Sequence, residues 1–208
     1  MSYDIELKNK VTGETAKMRH SQYIRGGTVP ARLNPVTGEL EQSEQVEAHI
    51  NITYNYSHYY YDATDGDIRF AHDKVSAYYA DGTQGPIETE YGIRGLYGAT
   101  PAESIPMLMD MIEKIKAKYT DESGKWIDTE RTKTVYYKNG RQISERHVID
   151  AIMHKDYDEK KEVTYMVNEG DMSDYWQATA ANAIKPLQDM IVMATDNLTE
   201  KDVVWNGD

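Results

Sequence analysis

The chain of 208 residues contains no cysteine. Disulfide bonds, thiolate nucleophiles and cysteine-ligated zinc sites are therefore excluded. No apolar run approaches the roughly 18 residues that a membrane-spanning helix needs, so we expect no membrane span. The amino terminus lacks the basic segment followed by a hydrophobic segment that marks a secretory signal, which predicts a cytoplasmic location.

Positive charge is scarce: the chain has 23 Lys and Arg residues but 35 Asp and Glu residues, which gives a formal net charge of -12. General nucleic-acid binding needs basic patches that neutralise phosphates, so this balance argues against it. The balance is compatible with a local cationic pocket for one small anionic ligand. It is equally compatible with an acidic surface that imitates nucleic acid toward a basic partner.

The common signatures of catalysis and metal binding are also missing. No two of the six histidines have the i, i+4 spacing of a helical zinc site, and no acidic segment has the complete calcium-loop pattern. The sequence contains neither a phosphate-binding loop nor a nucleophile elbow. We therefore expect no metal and no cofactor, and we expect a binding protein rather than an enzyme.

Tyrosine, by contrast, is abundant: there are 17 Tyr, three Trp and one Phe, and five of the tyrosines fall in residues 51–61. Tyr and His have an apolar body and a polar tip, so they can pack in a core and also contact a ligand. Alternation over residues 46–54 predicts a half-buried strand with Tyr54 on its buried face. Ser57 is then predicted to cap a short helix that carries His58 near its start.

Two later segments have the apolar periodicity of long helices. Thr100 and Glu103 have the spacing of a capping box, and the apolar stripe that follows predicts a helix as far as about Tyr119. Pro106 is predicted to bend this helix or to move its start to Ser104. Thr179 is predicted to cap the second long helix.

Turn signals complete the predicted architecture. The region from about residue 28 to residue 44 contains a turn sequence that predicts a protruding hairpin or loop. Asn139-Gly140, between two strand-like runs, predicts a type I′ hairpin turn. We therefore predict one α+β domain over residues 1–208. In it a mainly antiparallel sheet packs against two long amphipathic helices, and residues 125–170 form an insertion that contains a hairpin and a helix.

The candidate site combines aromatic side chains with arginine. Arg94 lies between two glycines, which favours an unusual backbone, and its planar fork suits a phosphate or a carboxylate. Tyrosine and histidine rings stack on planar groups or form hydrogen bonds with them. The alternatives are that Arg94 pairs with a local acid such as Glu90 and that Trp176 fills the core. The predicted ligand-binding residues are Tyr56, His58, Tyr59, Arg94, Arg25 and Trp176.

Several motifs recur together in a family of phage and prophage proteins of gut and related bacteria, which this chain resembles. They include Tyr3-Asp-Ile-Glu-Leu7, Gly26-Gly-Thr28, Ala48-His-Ile-Asn-Ile-Thr-Tyr-Asn-Tyr56, Gly92-Ile-Arg-Gly-Leu-Tyr-Gly98, Glu103-Ser-Ile-Pro106, Asp174-Tyr-Trp176 and Val204-Trp-Asn-Gly-Asp208. This chain departs from the family pattern in its long 28–44 loop and at Pro186. The family has no settled activity, so the resemblance implies a context, the host bacterial cytoplasm during infection.

Small acidic phage proteins often act against host defences, and the resemblance implies the same for this chain. The leading hypothesis is a homo-oligomeric binding protein that sequesters a nucleotide-derived immune signal. In it Tyr56, His58 and Tyr59 hold the planar group and Arg94 holds the phosphate. Two alternatives stay open: an acidic inhibitor that binds a host defence protein, and a nucleotide hydrolase that uses His58.

Overall fold

The computed structural model describes six stretches of the chain: residues 2–18, 31–33, 36–38, 40–42, 47–75 and 87–207. The strands are β1 (Ser2–Asn9), β2 (Ala31–Leu33), β3 (Leu40–Gln42), β4 (His49–Thr53), β5 (His72–Val75), β6 (Ile87–Glu90), β7 (Asp128–Lys138), β8 (Arg141–Gln142), β9 (Glu159–Asn168) and β10 (Val203–Gly207). The α-helices are α1 (Ser57–Thr64), α2 (Pro101–Tyr119), α3 (Glu145–Met153) and α4 (Ala180–Asp196). All strand pairs are antiparallel, so the predicted α+β class is confirmed.

The central sheet has the strand order β10-β1-β4. In β1 the side chains of Tyr3, Ile5 and Leu7 are buried, whereas the residues between them face outward, as alternation in a strand requires. In β4, Ile50 and Ile52 are fully buried, which confirms the predicted inner face of this strand. The helices α2 and α4 pack against each other and contact β10 and β4 respectively.

The start of α2 confirms the predicted capping box. The hydroxyl of Thr100 accepts a hydrogen bond from the backbone N–H of Glu103, and the Glu103 carboxylate accepts one from the Thr100 N–H at 2.8 Å. The helix begins at Pro101 and continues through Pro106. A later start, one of the two predicted effects of Pro106, is therefore wrong, because the cap and Pro101 stabilise the first turn.

The second long helix, α4, is buried on most sides. Thr179 caps it as predicted, with its hydroxyl accepting a hydrogen bond from the Asn182 N–H at 3.2 Å. Four alanines of this helix are buried, and their small side chains allow close contact with neighbouring elements: Ala180, Ala181, Ala183 and Ala194. Within the described part of the chain, no helix combines the length and apolarity needed to cross a membrane.

Residues 128–168, which we call the ribbon module, form a long two-stranded ribbon with additions. Strand β9 pairs with β7 over ten residue pairs, and β8 pairs with the far end of β7. The turn between β7 and β8 has φ angles of 50° at Asn139 and 74° at Gly140, which confirms the predicted type I′ turn. Helix α3 follows β8. The description of residues 125–170 as an insertion within one domain stays a prediction.

The predicted 28–44 hairpin is confirmed by the antiparallel pairing of β2 with β3. A second two-stranded sheet pairs β5 with β6. The end of β6 lies beside α1, and this position contributes to the site described next.

Candidate functional site

The tyrosine-rich stretch passes from strand to helix through a 3-10 turn. Tyr54–Tyr56 form this turn, and the Ser57 N–H donates to the Tyr54 carbonyl as α1 begins. Ser57 is the first residue of the helix, and its hydroxyl is 2.7 Å from the Tyr3 hydroxyl. The helix was predicted correctly, but Ser57 as its cap is wrong, because the preceding turn leads the backbone directly into the helix.

Tyr56 is a core residue. Its side chain has no exposed surface, and its hydroxyl donates a hydrogen bond to the Tyr175 carbonyl. The two rings meet edge to face with centroids 5.8 Å apart, and the Tyr175 hydroxyl donates to the Asn51 carbonyl at 3.0 Å. Tyr56 therefore joins the turn before α1 to the loop before α4, and the structure gives its ring a packing role.

Tyr59 is also fully buried, within a polar network that includes a buried carboxylate. Its hydroxyl donates to Oε2 of Glu169 at 2.6 Å, and Arg131 donates to Oε1 of Glu169 at 2.7 Å and to the Tyr59 hydroxyl. The Thr129 hydroxyl and the Ala180 N–H also donate to this carboxylate. We call these five residues the Glu169 network.

The charge state of Glu169 follows from this network. Burial opposes ionisation, but the donors from Thr129, Tyr59 and Arg131 outweigh it and lower the pKa of Glu169. The carboxylate is thus ionised and paired, and it also accepts from the first N–H group of α4. No sequence pattern indicated this residue, because its partners come from three other parts of the chain.

His58 lies on the exposed side of α1. Its ring packs on that of Tyr59 with centroids 4.0 Å apart. Partial burial, together with the nearby Arg131 guanidinium, lowers the pKa of His58. The imidazole is therefore neutral at pH 7, so it is able to accept a proton.

Arg94 is held by two tyrosines. Its Nη2 donates to the Tyr54 hydroxyl at 3.1 Å, and its guanidinium lies 5.2 Å from the centroid of the Tyr3 ring. Such guanidinium–ring contacts are favourable and fix the orientation of the fork. Tyr54 was predicted on the buried face of a strand, but it begins the 3-10 turn and is only partly buried.

The two glycines beside Arg94 allow close packing. A Cβ atom at Gly92 would lie 2.8 Å from the Tyr61 ring, and Gly92 has a φ of 136°. A Cβ at Gly95 would lie 2.3 Å from the Phe70 backbone. The unusual backbone is at Gly92, whereas Arg94, for which it was predicted, lies in a regular 3-10 turn over Ile93–Leu96. Both glycines bring this turn against its neighbours.

The remaining predicted residues lie elsewhere. Trp176 is 62% exposed, so the alternative that it fills the core is wrong. Its carbonyl accepts a hydrogen bond from Asn55 Nδ2 at 2.9 Å, which places it beside the 3-10 turn. Arg25 and the neighbouring double glycine lie outside the described residues.

A groove that the sequence did not predict lies between α1, the end of β6 and α2. It encloses about 450 Å³ and is lined by Tyr61, Asp62, Asp65, Thr89, Glu90, Tyr91 and Lys118. Lys118 forms an ion pair with Asp62 at 2.7 Å. Three carboxylates, one ammonium group and two tyrosines thus line the same cavity. We call this cavity the acidic groove.

The acidic groove has the chemistry to bind a cation. Tyrosine faces attract ammonium and guanidinium groups, and carboxylates form short charge-assisted hydrogen bonds with them. A metal ion finds no comparable cluster, since no three His, Asp or Glu side chains of the described ranges are grouped to hold one. Comparison with protein-family models, curated proteins and solved structures finds no significant match to this chain.

Proposed function

We propose that this protein is a binding protein whose acidic groove receives a cationic side chain of a basic partner protein. The lining of the groove carries this proposal: two tyrosines and three carboxylates around a cavity of about 450 Å³. That volume falls within the usual range for small-ligand pockets, about 300–1,000 Å³. A lysine or arginine side chain that enters it meets aromatic faces and carboxylate oxygens together.

The overall charge supports the same partner. A net charge of -12 attracts a basic protein over long range and accelerates encounter at low salt. It repels a phosphate-rich ligand. The resemblance to phage and prophage proteins points to a host defence factor as the basic partner, which corresponds to the inhibitor hypothesis from the sequence.

A titration with small probes tests the groove itself. We expect a capped Gly-Arg-Gly peptide to bind and its citrulline analogue, which has the same shape without the charge, to bind at least about fivefold more weakly. Binding of the arginine peptide should weaken by a similar factor in an Asp65→Asn/Glu90→Gln variant. Calorimetry or nuclear magnetic resonance titration measures both effects.

The matched control removes two acidic charges away from the groove, in a Glu113→Gln/Glu122→Gln variant. It should bind the arginine peptide within about twofold of the wild type, because exposed charges at a distance are screened by salt. Equal loss in both variants would mean that only net charge attracts the peptide, and that result would contradict the proposal.

The second candidate is the sequestration of a nucleotide-like ligand at Arg94. The observation that favours it is the orientation of the guanidinium by the Tyr54 hydroxyl and the Tyr3 ring. A fork held in this way suits phosphate better than a mobile side chain does. Native mass spectrometry of protein from cells with an active nucleotide-signalling defence should detect a retained small molecule.

An Arg94→Lys variant provides the control for this candidate, because it keeps the charge and removes the fork. The retained molecule should be lost or reduced in that variant. Absence of any retained molecule from the wild type would exclude sequestration. Turnover of the molecule, abolished by His58→Ala, would indicate the hydrolase alternative.

A further inference from the structure

Helix α1 has an exposed side that continues beyond the acidic groove. Four exposed residues share an i, i+3, i+4, i+7 spacing, which places them on one side of this helix: His58, Tyr61, Asp62 and Asp65. Four other residues of the helix are buried on the opposite side: Tyr59, Tyr60, Ala63 and Thr64. Tyr61, Asp62 and Asp65 line the groove, whereas His58 lies one turn before Tyr61. The same surface therefore runs from the groove to the first turn of the helix.

Trp176 lies at the far end of this surface. The His58 imidazole lies beside the Asn55 backbone, and Nδ2 of Asn55 donates to the Trp176 carbonyl at 2.9 Å. The indole ring meets the Tyr175 ring edge to face, with centroids 5.4 Å apart. Because Trp176 is 62% exposed, this neighbouring ring holds the indole while most of its surface faces solvent. Large aromatic side chains presented in this way are typical anchors of protein–protein recognition.

The loop that carries Trp176 is acidic. Residues 171–178 contain two carboxylates, Asp171 and Asp174, and no Lys or Arg. Oδ1 of Asp174 accepts a hydrogen bond from the Trp176 N–H at 2.9 Å, so this carboxylate lies close to the indole. Tryptophan is the aromatic side chain that attracts guanidinium and ammonium groups most strongly, and a nearby carboxylate adds a charge-assisted hydrogen bond. The Trp176 loop therefore suits a cation.

The charges along the whole surface favour the same occupant. Lys118 and Arg131 lie near it, and each forms an ion pair with a carboxylate at 2.7 Å. Asp65 and Asp174 add two negative charges to these neutral pairs. The surface therefore repels a phosphate or an acidic segment. An uncharged apolar segment would cover the carboxylates without pairing them, which is unfavourable, whereas a basic segment pairs with them.

The two ends of the surface are separated by a distance that a short peptide segment spans. A 3-10 turn rises about 2 Å per residue and an α-helix about 1.5 Å, so Asn55 lies about 12 Å from Asp62 along the surface. An extended segment rises about 3.3 Å per residue. Two side chains about four residues apart therefore reach the groove and the Trp176 ring together.

We propose that this surface binds a basic segment through two cationic side chains, one in the acidic groove and one on the Trp176 ring. The inference rests on the proposed function and specifies what is recognised: two Arg or Lys residues about four positions apart in an extended segment. Trp176 is the anchor for the second cation, and Asp174 pairs with that cation. Because both contacts form within one segment, the second contact adds to the affinity of the first.

Calorimetry with two capped peptides tests the second contact. In the wild type, Arg-Gly-Gly-Gly-Arg should bind about five- to tenfold more tightly than the analogue in which citrulline replaces the last arginine. In Trp176→Ala this ratio should fall to about two, the statistical factor for two arginines that compete for one groove. The substitution changes no charge. A ratio that stayed above about five in Trp176→Ala would therefore mean that net charge alone attracts the second arginine, and it would overturn the proposal.

Leu198→Ala is the matched control for this comparison. It removes a 50% exposed apolar side chain just beyond the other end of α4, about 25 Å away along that helix. It should keep the wild-type ratio of the two affinities. An equal fall of the ratio in both variants would overturn the proposal, because the effect would then be independent of the indole.

A nuclear magnetic resonance titration of the wild type locates the second cation directly. The indole N–H resonance that is absent from Trp176→Ala should shift with the two-arginine peptide and stay in place with the citrulline analogue. An indole resonance that stays in place with both peptides would overturn the proposal.

The proposed function and this inference fail separately. If the capped Gly-Arg-Gly peptide does not bind the wild type, the acidic groove is not a cation site. If that peptide binds, but the ratio for the two longer peptides is only about two in the wild type, the groove remains a cation site and the second contact alone is excluded.

Discussion

The Tyr59 hydroxyl lies 2.6 Å from Oε2 of Glu169, and both side chains are fully buried. Arg131 donates to both groups. This contact joins α1, which forms one side of the acidic groove, to the base of the ribbon module and to the start of α4. The Glu169 network thus connects three elements, α1, β7 and α4, through polar contacts.

Replacement of Glu169 by glutamine should destabilise the protein strongly. The substitution keeps the shape but removes the charge that pairs with Arg131, so a guanidinium is left without its buried partner. Such a loss typically costs about 3 kcal/mol in the free energy of unfolding. Urea denaturation measures it. The exposed neighbour on β7 provides the control, since Glu130→Gln should change the free energy by less than about 0.5 kcal/mol.

The cost of that substitution should depend on pH. Glu169 has a pKa below its ordinary value of 4.5 in the folded protein, so the folded state favours the ionised form. Its contribution to stability is therefore complete above about pH 4.5 and is lost as the pH falls through the folded pKa. Unfolding at pH 7 and pH 3.5 should show a smaller difference between wild type and Glu169→Gln at the lower pH. If wild type and Glu169→Gln differed in stability by the same amount at both pH values, the assignment of Glu169 as ionised would be contradicted.

Local sequence patterns predicted the parts of the fold that depend on near neighbours. Thr100 and Glu103 form reciprocal hydrogen bonds within the first turn of one helix. Asn139-Gly140 adopts its turn because both residues tolerate positive φ. Alternation likewise identified the inner face of β4. In each case the interaction that determines the structure lies within a few residues along the chain.

The candidate site could not be predicted in the same way. Tyr56 packs in the core, and its hydroxyl finds a hydrogen-bond partner there in the carbonyl of Tyr175, more than one hundred residues away. The acidic groove similarly brings Tyr61, Glu90 and Lys118 together from three separate elements. A tyrosine on its own is compatible with a core or with a binding surface, and only tertiary packing distinguishes the two.

Gly95→Ala should destabilise the protein more than Gly98→Ala does. The added methyl group at residue 95 would lie 2.3 Å from the backbone of Phe70, which cannot move aside as a side chain can. Overpacking of this kind costs about 3 kcal/mol. At Gly98 the φ is 87° and the space is open, so the strain costs about 1 kcal/mol. Thermal unfolding of both variants gives the comparison, and a reversed order would contradict the packing at residue 95.

The pKa of His58 should rise when Arg131 loses its charge. Burial and the Arg131 guanidinium both lower this pKa, and Arg131→Gln removes only the second effect. We therefore expect a partial return toward the ordinary value of 6.5, measured from the imidazole resonances in a nuclear magnetic resonance titration. Arg69→Gln, which removes a charge that pairs with Asp67 and Asp110, is the control and should leave the His58 pKa unchanged.

Removal of the ammonium group from the acidic groove should strengthen binding of a cationic probe. Lys118 pairs with Asp62 at the groove and competes with an incoming guanidinium for the same carboxylate. In Lys118→Met the arginine peptide should bind about three- to tenfold more tightly, since one carboxylate is released and one repulsive charge is lost. Lys116→Met makes the same charge change two residues away on α2, outside the groove lining, and should alter the affinity by less than about twofold. If the two variants bind the peptide equally, the gain comes from net charge alone and the groove is not where the cation binds.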